Sequence, residues 1–371
     1  MISGLCRRMG ARLAGDGVEV GVLVHTNHGS YNPRFRVAPP SPHTDVPEKT
    51  RMTEQLTVAP RKEMHTFMNF PLVTDLDRLE ADLAIMGIAY SDPYTIDEVT
   101  NDQTNAPTAI RRESARISLD VDRWDFDIGG LLFDGRDDIR IVDIGDVPGE
   151  ARDLTAHYRR AEAAARKVFA KGAMLVTLGG DHGVPIPVFR ALENHGPITL
   201  VHIDAHLDWR DEVNGAREGY SSPIRRASEL DWLDRIVQIG LRGQGSAREG
   251  EVRDALAYGA DLITAYELHE IGMAAVLERI PDGGTYYLTV DADGMDPTEM
   301  PAVAAPAPGG VTYLQMRQLI HGLFAKGRVI GMDIVEIQPM RDVNGITALT
   351  AGRLIWNFIA AAVRSGQFDR D

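Results

Sequence analysis

From residue 82 onward, short and continuously apolar runs alternate with longer stretches that have helical spacing. Runs that are apolar at every position are typical of strands buried on both faces of a sheet. Their alternation with helices predicts an α/β fold of three layers, α/β/α, in which helices cover both faces of a central, mostly parallel sheet. The predicted strands are 83–88, 140–144, 173–178, 198–203, 236–239, 285–290 and 329–334. The predicted helices are 154–170, 187–195, 249–258, 274–280, 312–325 and 349–364.

Residues 1–65 differ from the rest of the chain. They are rich in Pro, Arg, His and Thr and show no sustained periodicity, so we predict a poorly ordered extension followed by one domain, 66–371. The first fifteen residues contain Arg7, Arg8 and Arg12 and no acid, which is a feature of transit peptides. We prefer two simpler interpretations, an unstructured tail or a true start at Met52.

The composition of the chain disfavours several classes of partner. Its 371 residues include 39 Lys and Arg against 54 Asp and Glu, a formal net charge of −15, which disfavours nucleic acids and anionic membranes. No apolar run approaches the ~18 residues of a membrane helix. The single cysteine, Cys6, can form neither an internal disulfide nor a thiolate cluster. We therefore expect a cytoplasmic protein that binds neither nucleic acid nor membrane.

Polar side chains follow two of the predicted strands where each strand ends. Asp204, His206 and Asp208 follow strand 198–203 and alternate in sequence, so an extended backbone places all three on one side. Asp291 and Asp293 repeat this spacing after strand 285–290. Because parallel sheets bind ligands at the carboxyl ends of their strands, we predict that these residues share one site.

A histidine completes this set. His182 follows strand 173–178 after a Gly179-Gly180 turn that lets the backbone approach closely. Two imidazoles and four carboxylates suit Mn²⁺ or another divalent first-row ion. Four carboxylates balance two divalent ions, and a bridging hydroxide then leaves a single negative charge, which matches a singly cationic substrate. We therefore predict two metal ions, about 3.5–4 Å apart, that convert a bridging water into a nucleophile near neutral pH.

The motifs after these strands resemble those of the ureohydrolases, the arginase and agmatinase family, over about residues 67–362. The matching motifs are Gly179-Gly180-Asp181-His182, Asp204-Ala205-His206-Leu207-Asp208, Asp291-Ala292-Asp293-Gly294-Met295-Asp296-Pro297, Pro308-Gly309-Gly310 and Met332-Asp333-Ile334-Val335-Glu336. The resemblance implies an arginase-like fold, a binuclear Mn²⁺ centre, and hydrolysis of a guanidino group to urea and an amine. It also implies a homo-oligomer, either a trimer or a hexamer.

The resemblance further implies a role for each residue of the set. One ion would be held by His182, Asp204, Asp208 and Asp291, and the other by Asp204, His206, Asp291 and Asp293, with Asp204 and Asp291 bridging. Glu336 would receive the guanidinium through parallel hydrogen bonds. Asp293 would help to stabilise the tetrahedral intermediate. Ni²⁺, Co²⁺ or Fe²⁺ would accept the same ligands as Mn²⁺.

Three further residues are candidates for substrate contact. Glu218 stands where many arginases and agmatinases carry a histidine; we expect it to face the cleft as an acid, a base or the partner of a distal cation, and an ordinary loop glutamate is the alternative. Arg210 lies where arginases have small polar residues, so it would read a substrate carboxylate or pair with a nearby acid. Tyr90 opens the segments 90–94 and 101–107, which occupy the position of a family substrate loop.

These features favour an amidinohydrolase with agmatine as the default substrate. Arg210 favours an acidic substrate and Glu218 a cationic one, so 4-guanidinobutanoate, guanidinopropanoate, a small guanidine or biguanide, and formimidoylglutamate stay open. A catalytically silent subunit is disfavoured because all six metal ligands are present. A deacetylase of related fold is disfavoured because the 291–297 motif and Glu336 match the branch that hydrolyses guanidino groups.

Overall fold

A computed structural model describes residues 55–58, 65–117 and 121–370. The strands in this part of the chain are β1 Leu83–Gly87, β2 Ile141–Asp146, β3 Met174–Leu178, β4 Ile198–Ile203, β5 Leu233–Leu241, β6 Asp261–Thr264, β7 Thr285–Asp291 and β8 Arg328–Val335. They form one sheet in the order β2-β1-β3-β8-β7-β4-β5-β6, and every neighbouring pair is parallel. The central strands are buried along their length, as their continuously apolar sequences predicted.

Helices cover both faces of this sheet. They are α1 Ala106–Ile117, α2 Leu154–Ala170, α3 Pro185–Ala191, α4 Pro223–Ala227, α5 Glu249–Tyr258, α6 Ala265–Arg279, α7 Tyr313–Lys326 and α8 Ile346–Arg364. One apolar core joins a face of the sheet to α1, α6, α7 and α8, and a second joins the other face to α2, α3, α4 and α5. The predicted three-layer architecture with a parallel sheet is confirmed.

Each of the seven predicted strands is present, and one strand and two α-helices of the described chain were not predicted. Strand β6 has four residues and pairs only with β5 at the edge of the sheet, so it lacks a long apolar run. Helix α1 has Pro107 in its first turn and buries Arg111 and Glu113, which interrupts its apolar stripe. The five-residue helix α4 is too short to show a period.

Part of the predicted N-terminal extension packs on the domain. Val58 exchanges two backbone hydrogen bonds with Asp146 at the end of β2, at 2.8 and 2.9 Å. Leu56 and Thr57 beside it are buried. Residues 55–58 therefore contact the domain although they precede the predicted boundary at residue 66. Residues 1–54 and 59–64 of the predicted extension lie outside the described residues.

Helix α8 is the most apolar helix of the described chain. By length and a mean hydropathy of 1.5 it would be able to cross a membrane, and 83% of its apolar window is buried inside the domain. Its neighbours are α1 and α7, which pack along it. The helix that carries this composition is therefore a core helix of the fold.

The order of the strands determines where a site can form. Strands β3, β8, β7 and β4 are consecutive neighbours, so their carboxyl ends meet at one edge of the sheet. Asp291 is the last residue of β7, and the segments that follow the other three strands contain His182, Glu336 and Asp204. The fold therefore brings four motifs that are far apart in the sequence together at one edge of the sheet.

A buried ion pair attaches α1 to β2. The guanidinium of Arg111, which is fully buried, donates from Nε to Asp143 Oδ2 at 2.8 Å and from Nη2 to Asp143 Oδ1 at 2.9 Å. Its Nη1 donates to Asp146 Oδ1. Asp143 also accepts the backbone N–H of Phe67 at 2.8 Å. Removing one partner of such a pair leaves a buried charge without compensation.

Arg111→Ala is expected to lower the free energy of unfolding by about 3–5 kcal/mol, because Asp143 then stays buried without its cation. Chemical denaturation followed by circular dichroism measures this loss. Arg112→Ala is the matched control, since the Arg112 side chain is 64% exposed and its partner Glu113 keeps a second cation, Arg116, so its expected effect is below about 1 kcal/mol. Equal effects of the two substitutions would contradict the assignment.

Candidate metal centre and active site

His182 lies at the centre of a converging set of carboxylates. Its Nδ1 is 2.8 Å from Asp208 Oδ2, 3.0 Å from Asp291 Oδ2 and 3.2 Å from Asp204 Oδ2. All four side chains are buried. Despite these short distances, the nitrogen has no hydrogen-bond partner of good geometry. Ligand atoms that surround a common point without bonding one another are the arrangement that a metal ion requires.

A second group shares a carboxylate with the first. His206 Nδ1 lies 3.2 Å from Asp293 Oδ2 and 3.4 Å from Asp204 Oδ1. The ligand atoms of His206, Asp204 and Asp293 fall within 4.8 Å of one another, which is the spacing of a possible metal site. The two oxygens of Asp204 therefore face different histidines, His182 on one side and His206 on the other, as a bridging ligand would.

His202 belongs to this cluster, although its place inside a predicted strand favours an ordinary core histidine. Its Nε2 is 2.8 Å from Asp204 Oδ2, and its Nδ1 is 2.9 Å from the side-chain amide of Gln238. It is buried and hydrogen bonded on both sides, so it orients the Asp204 carboxylate. The signal was present in the sequence, because His202 continues the alternation of Asp204, His206 and Asp208 by one step toward the strand.

The electrostatics of the site favour a cation. Burial, followed by the neighbouring Asp293 and Asp204, raises the pKa of Asp291 well above its usual range. Burial and the adjacent Asp204 raise the pKa of Asp208 to about 7. Carboxylates this close repel one another in a buried site unless positive charge lies between them. The donor set, its convergence and the His182 nitrogen without a hydrogen bond together fit a divalent metal centre.

The backbone at the site is constrained. Asp208 and Glu336 have φ values of 49° and 65°, in the left-handed region that non-glycine residues seldom adopt. Gly180 is required for a different reason, because a Cβ there would overlap the carbonyl oxygen of Tyr90. That carbonyl accepts the backbone N–H of Asp181 at 3.0 Å. Strained conformations of this kind persist only where the surrounding structure holds them, and they cluster at functional sites.

Glu336 lines the same cavity as four of the candidate metal ligands. Its Oε1 accepts the backbone N–H of His182 at 2.9 Å, and its Oε2 accepts Gln103 Nε2 at 3.1 Å. Burial raises the pKa of Glu336 to about 7. The cavity has a volume of about 300 Å³, and its charged lining residues are His206, Asp208, Asp291, Asp293 and Glu336. A guanidinium that bonded Glu336 would thus lie against the metal ligands.

Two residues that hold the site were not predicted. Gln103 fixes the Glu336 carboxylate, and its only sequence signal was its position in the 101–107 segment. Arg242 is buried and donates to the backbone carbonyls of Asp293 at 2.7 Å and Met295 at 3.0 Å. It also bonds the carbonyl of Ala307 at 2.7 Å. Every residue has a backbone carbonyl, so a sequence pattern cannot predict which carbonyls an arginine will bind. The role of Arg242 in holding the Asp293 segment was therefore found only in the folded structure.

The structure places the three candidate substrate residues outside the cavity lining. Glu218 pairs with Arg190, and Arg210 Nε lies 2.9 Å from Glu251 Oε1, which matches the alternative interpretation of Arg210 as a salt-bridge residue. Tyr90 is buried and stacks on Tyr158 with ring centroids 4.5 Å apart. The uncharged residues that line the cavity are Tyr220, Ser221, Gln244, Gly245, Ser246, Ala304 and Ala305. A direct role of Glu218, Arg210 or Tyr90 in substrate binding stays a prediction.

Asp204→Ala is expected to reduce bound metal and activity together, because Asp204 is the carboxylate that both histidine groups share. Elemental analysis after dialysis measures the metal per chain. Asp234→Ala is the control, since Asp234 is exposed on β5 and is expected to keep full metal content. An Asp204→Ala variant that retained its metal and its activity would refute the shared-ligand assignment.

Gln103→Leu is expected to lower kcat/KM by about tenfold without loss of metal, because the Glu336 carboxylate loses one of its two hydrogen bonds. Steady-state kinetics and metal analysis on the same sample separate the two effects. Gln55→Leu, at an exposed position outside the cavity lining, is the control. Unchanged kinetics for Gln103→Leu would show that Glu336 does not depend on this contact.

Comparisons with known proteins agree with the site described above. The sequence model of the arginase family matches residues 81–361 of this chain. Guanidinobutyrase of Pseudomonas aeruginosa is 34% identical over 303 residues, which cover 79% of this chain and 91% of the relative. The mitochondrial agmatinase of Gallus gallus is 31% identical, over 79% of this chain and 84% of the relative.

Solved structures show the same relationship. A hypothetical agmatinase from Burkholderia thailandensis superposes with a TM-score of 0.68 at 27% identity, over 82% of this chain and 92% of that chain. Proclavaminate amidinohydrolase of Streptomyces clavuligerus superposes with a TM-score of 0.69 at 25% identity, over 84% of this chain and 100% of that chain. This chain therefore belongs to the arginase family and is an amidinohydrolase, a hydrolase of amidino C–N bonds that acts on guanidino compounds.

Proposed function

We propose that this enzyme uses two divalent metal ions to hydrolyse a substituted guanidine to urea and an amine. The observation that carries the proposal is the position of Glu336 on the same cavity as four of the metal ligands. A group that binds guanidinium and a group that binds metal thus face one space. Hydrolysis at the central carbon of a guanidinium requires both.

The contacts support the ligand assignment that the family resemblance implies. We propose that His182, Asp204, Asp208 and Asp291 hold one ion, and that Asp204, His206, Asp291 and Asp293 hold the other. Asp291 lies between the two groups, since its Oδ2 is 3.0 Å from His182 Nδ1 and its Oδ1 accepts the backbone N–H of Asp293 at 2.8 Å. Mn²⁺ is the proposed metal, and Ni²⁺, Co²⁺ or Fe²⁺ would fit the same donors. When bound, such ions lower the pKa of water so that hydroxide is available near neutral pH.

Glu336 positions the substrate in this proposal. A carboxylate and a guanidinium match geometrically through two parallel hydrogen bonds. The Glu336 carboxylate is already held by the His182 backbone and by Gln103, so little conformational freedom is lost when the guanidinium binds. Its burial strengthens the interaction, because water competes poorly there.

Asp293 is the proposed acid group beside the reacting carbon. It lines the cavity, and Arg242 holds the carbonyl of the same residue, so the side chain has a defined position. As a proposed metal ligand, Asp293 would be ionised while the ion is bound. It would accept the proton released when hydroxide adds to the guanidinium carbon and pass that proton to the departing nitrogen, so that the amine leaves as a neutral molecule.

The substituent on the guanidine is the open part of the proposal. Relatives of similar identity are named guanidinobutyrase, guanidinopropionase and agmatinase. Agmatine, the default from the sequence, and 4-guanidinobutanoate are therefore the first compounds to test. A cytoplasmic location and a homo-oligomeric trimer or hexamer stay predictions.

The direct test is urea release by Mn²⁺-loaded protein, with Glu336→Gln as the comparison variant. We expect urea from the unaltered chain. We expect Glu336→Gln to keep its metal and to lose kcat/KM by about a hundredfold, since a neutral amide cannot pair with a guanidinium in the same way. Loss of metal from Glu336→Gln with unchanged substrate affinity would place Glu336 in the metal centre instead.

A further inference from the structure

One wall of the cavity, formed by the lining residues other than the proposed metal ligands and Glu336, contains no ionised side chain among the described residues. It consists of Tyr220, Ser221, Gln244, Ser246, Ala304 and Ala305, with Gly245 between two of them. From this wall we infer the class of substrate: a guanidine whose substituent carries no charge, either unsubstituted guanidine or a guanidine with a short alkyl chain. The inference rests on the proposed function and narrows it.

Charged groups near the wall are already paired away from the cavity. Arg210 lies behind Ser246, where its Nε pairs with Glu251 at 2.9 Å and its Nη1 faces the Ser246 carbonyl at 3.5 Å. Its side chain is only 14% exposed, so it is not free to reach a substrate carboxylate. Glu218 pairs with Arg190 in the same manner.

Glu98, the acidic residue next to Tyr220, is also held in place by hydrogen bonds. Glu98 accepts the backbone N–H of Tyr94 at 2.8 Å and lies against the Tyr220 hydroxyl. Tyr94 in turn stacks on Tyr220 with ring centroids 4.2 Å apart, and its hydroxyl bonds Ser221 at 2.9 Å. This side of the wall is therefore preorganised, with its polar groups bonded to one another. A terminal carboxylate would find no cation among the described residues of this side. The Glu98 carboxylate already accepts hydrogen bonds from Tyr94 and Tyr220, so a terminal ammonium would have to displace them in order to pair with it.

What the wall offers instead is close apolar contact. The methyl groups of Ala304 and Ala305 and the ring of Tyr220 face the cavity. A Cβ at Gly245 would come within 2.5 Å of the His206 ring, so this loop lies tightly against a metal ligand and brings Gln244 and Ser246 with it. Burying one methyl or methylene group favours binding by about fourfold, whereas burying an unpaired charge opposes it.

The test compares four guanidines on the metal-loaded full chain: guanidine, pentylguanidine, agmatine and 4-guanidinobutanoate. Pentylguanidine matches agmatine in length, with a methyl group in place of the ammonium. We expect the better of the two compounds without a charged substituent to exceed both agmatine and 4-guanidinobutanoate in kcat/KM by about fourfold or more. A higher kcat/KM for agmatine or 4-guanidinobutanoate overturns this inference and leaves the proposed function intact. No urea from any of the four overturns the proposed function, and this inference with it.

Substitutions that introduce a charge into the wall provide a second, independent test of the inference. Gln244 and Ser246 are exposed at the mouth of the cavity, so substitution there is compatible with folding. Gln244→Glu is expected to raise the ratio of kcat/KM for agmatine over pentylguanidine by about threefold, and Ser246→Lys to raise the ratio for 4-guanidinobutanoate by a similar factor. Gln55→Glu, outside the cavity lining, is the control and is expected to leave both ratios unchanged. Unchanged ratios in both wall variants would show that this wall does not select the substituent.

Discussion

The mutual repulsion of buried carboxylates is the constraint on which the rest of this structure depends. Asp204, Asp208, Asp291 and Asp293 crowd one edge of the sheet, and all four are buried. Charges placed this close in a medium of low dielectric are unfavourable unless cations neutralise them. The chain meets this cost with a donor set that suits divalent ions. In exchange, the site gains a strongly polarising environment in a place that excludes water.

The parallel sheet makes this concentration of charge possible. All neighbouring strands run in one direction, so their carboxyl ends, and the loops that follow them, collect at one edge. The two apolar cores on either face make the strand positions rigid. Rigid strands place ligands within tenths of an ångström at no cost when a substrate binds, which is the requirement for an organised catalytic site.

Around the ligands, a second group of residues keeps the loops in place. Arg242 ties down the Asp293 segment, His202 orients Asp204, and Gln103 orients Glu336. These contacts hold conformations that are unfavourable in isolation, including the left-handed backbone of Asp208 and Glu336. The free energy gained from packing thus maintains strained backbone conformations at the proposed catalytic site.

The amino-acid sequence by itself determined seven of the eight strands of the described sheet and the six residues that we propose as metal ligands. Both are local signals: a strand buried on two faces is continuously apolar, and ligands two residues apart share a side of an extended backbone. The tertiary structure alone decided the strand order, the partners of Gln103 and Arg242, the pairing of Arg210 with Glu251, and the neutral wall of the cavity. These depend on contacts between residues distant in sequence, many of them to backbone carbonyls, which no residue pattern encodes. For that reason the chemistry of the site was readable from the chain, whereas the surface that meets the substituent of the substrate emerged only once the chain was folded.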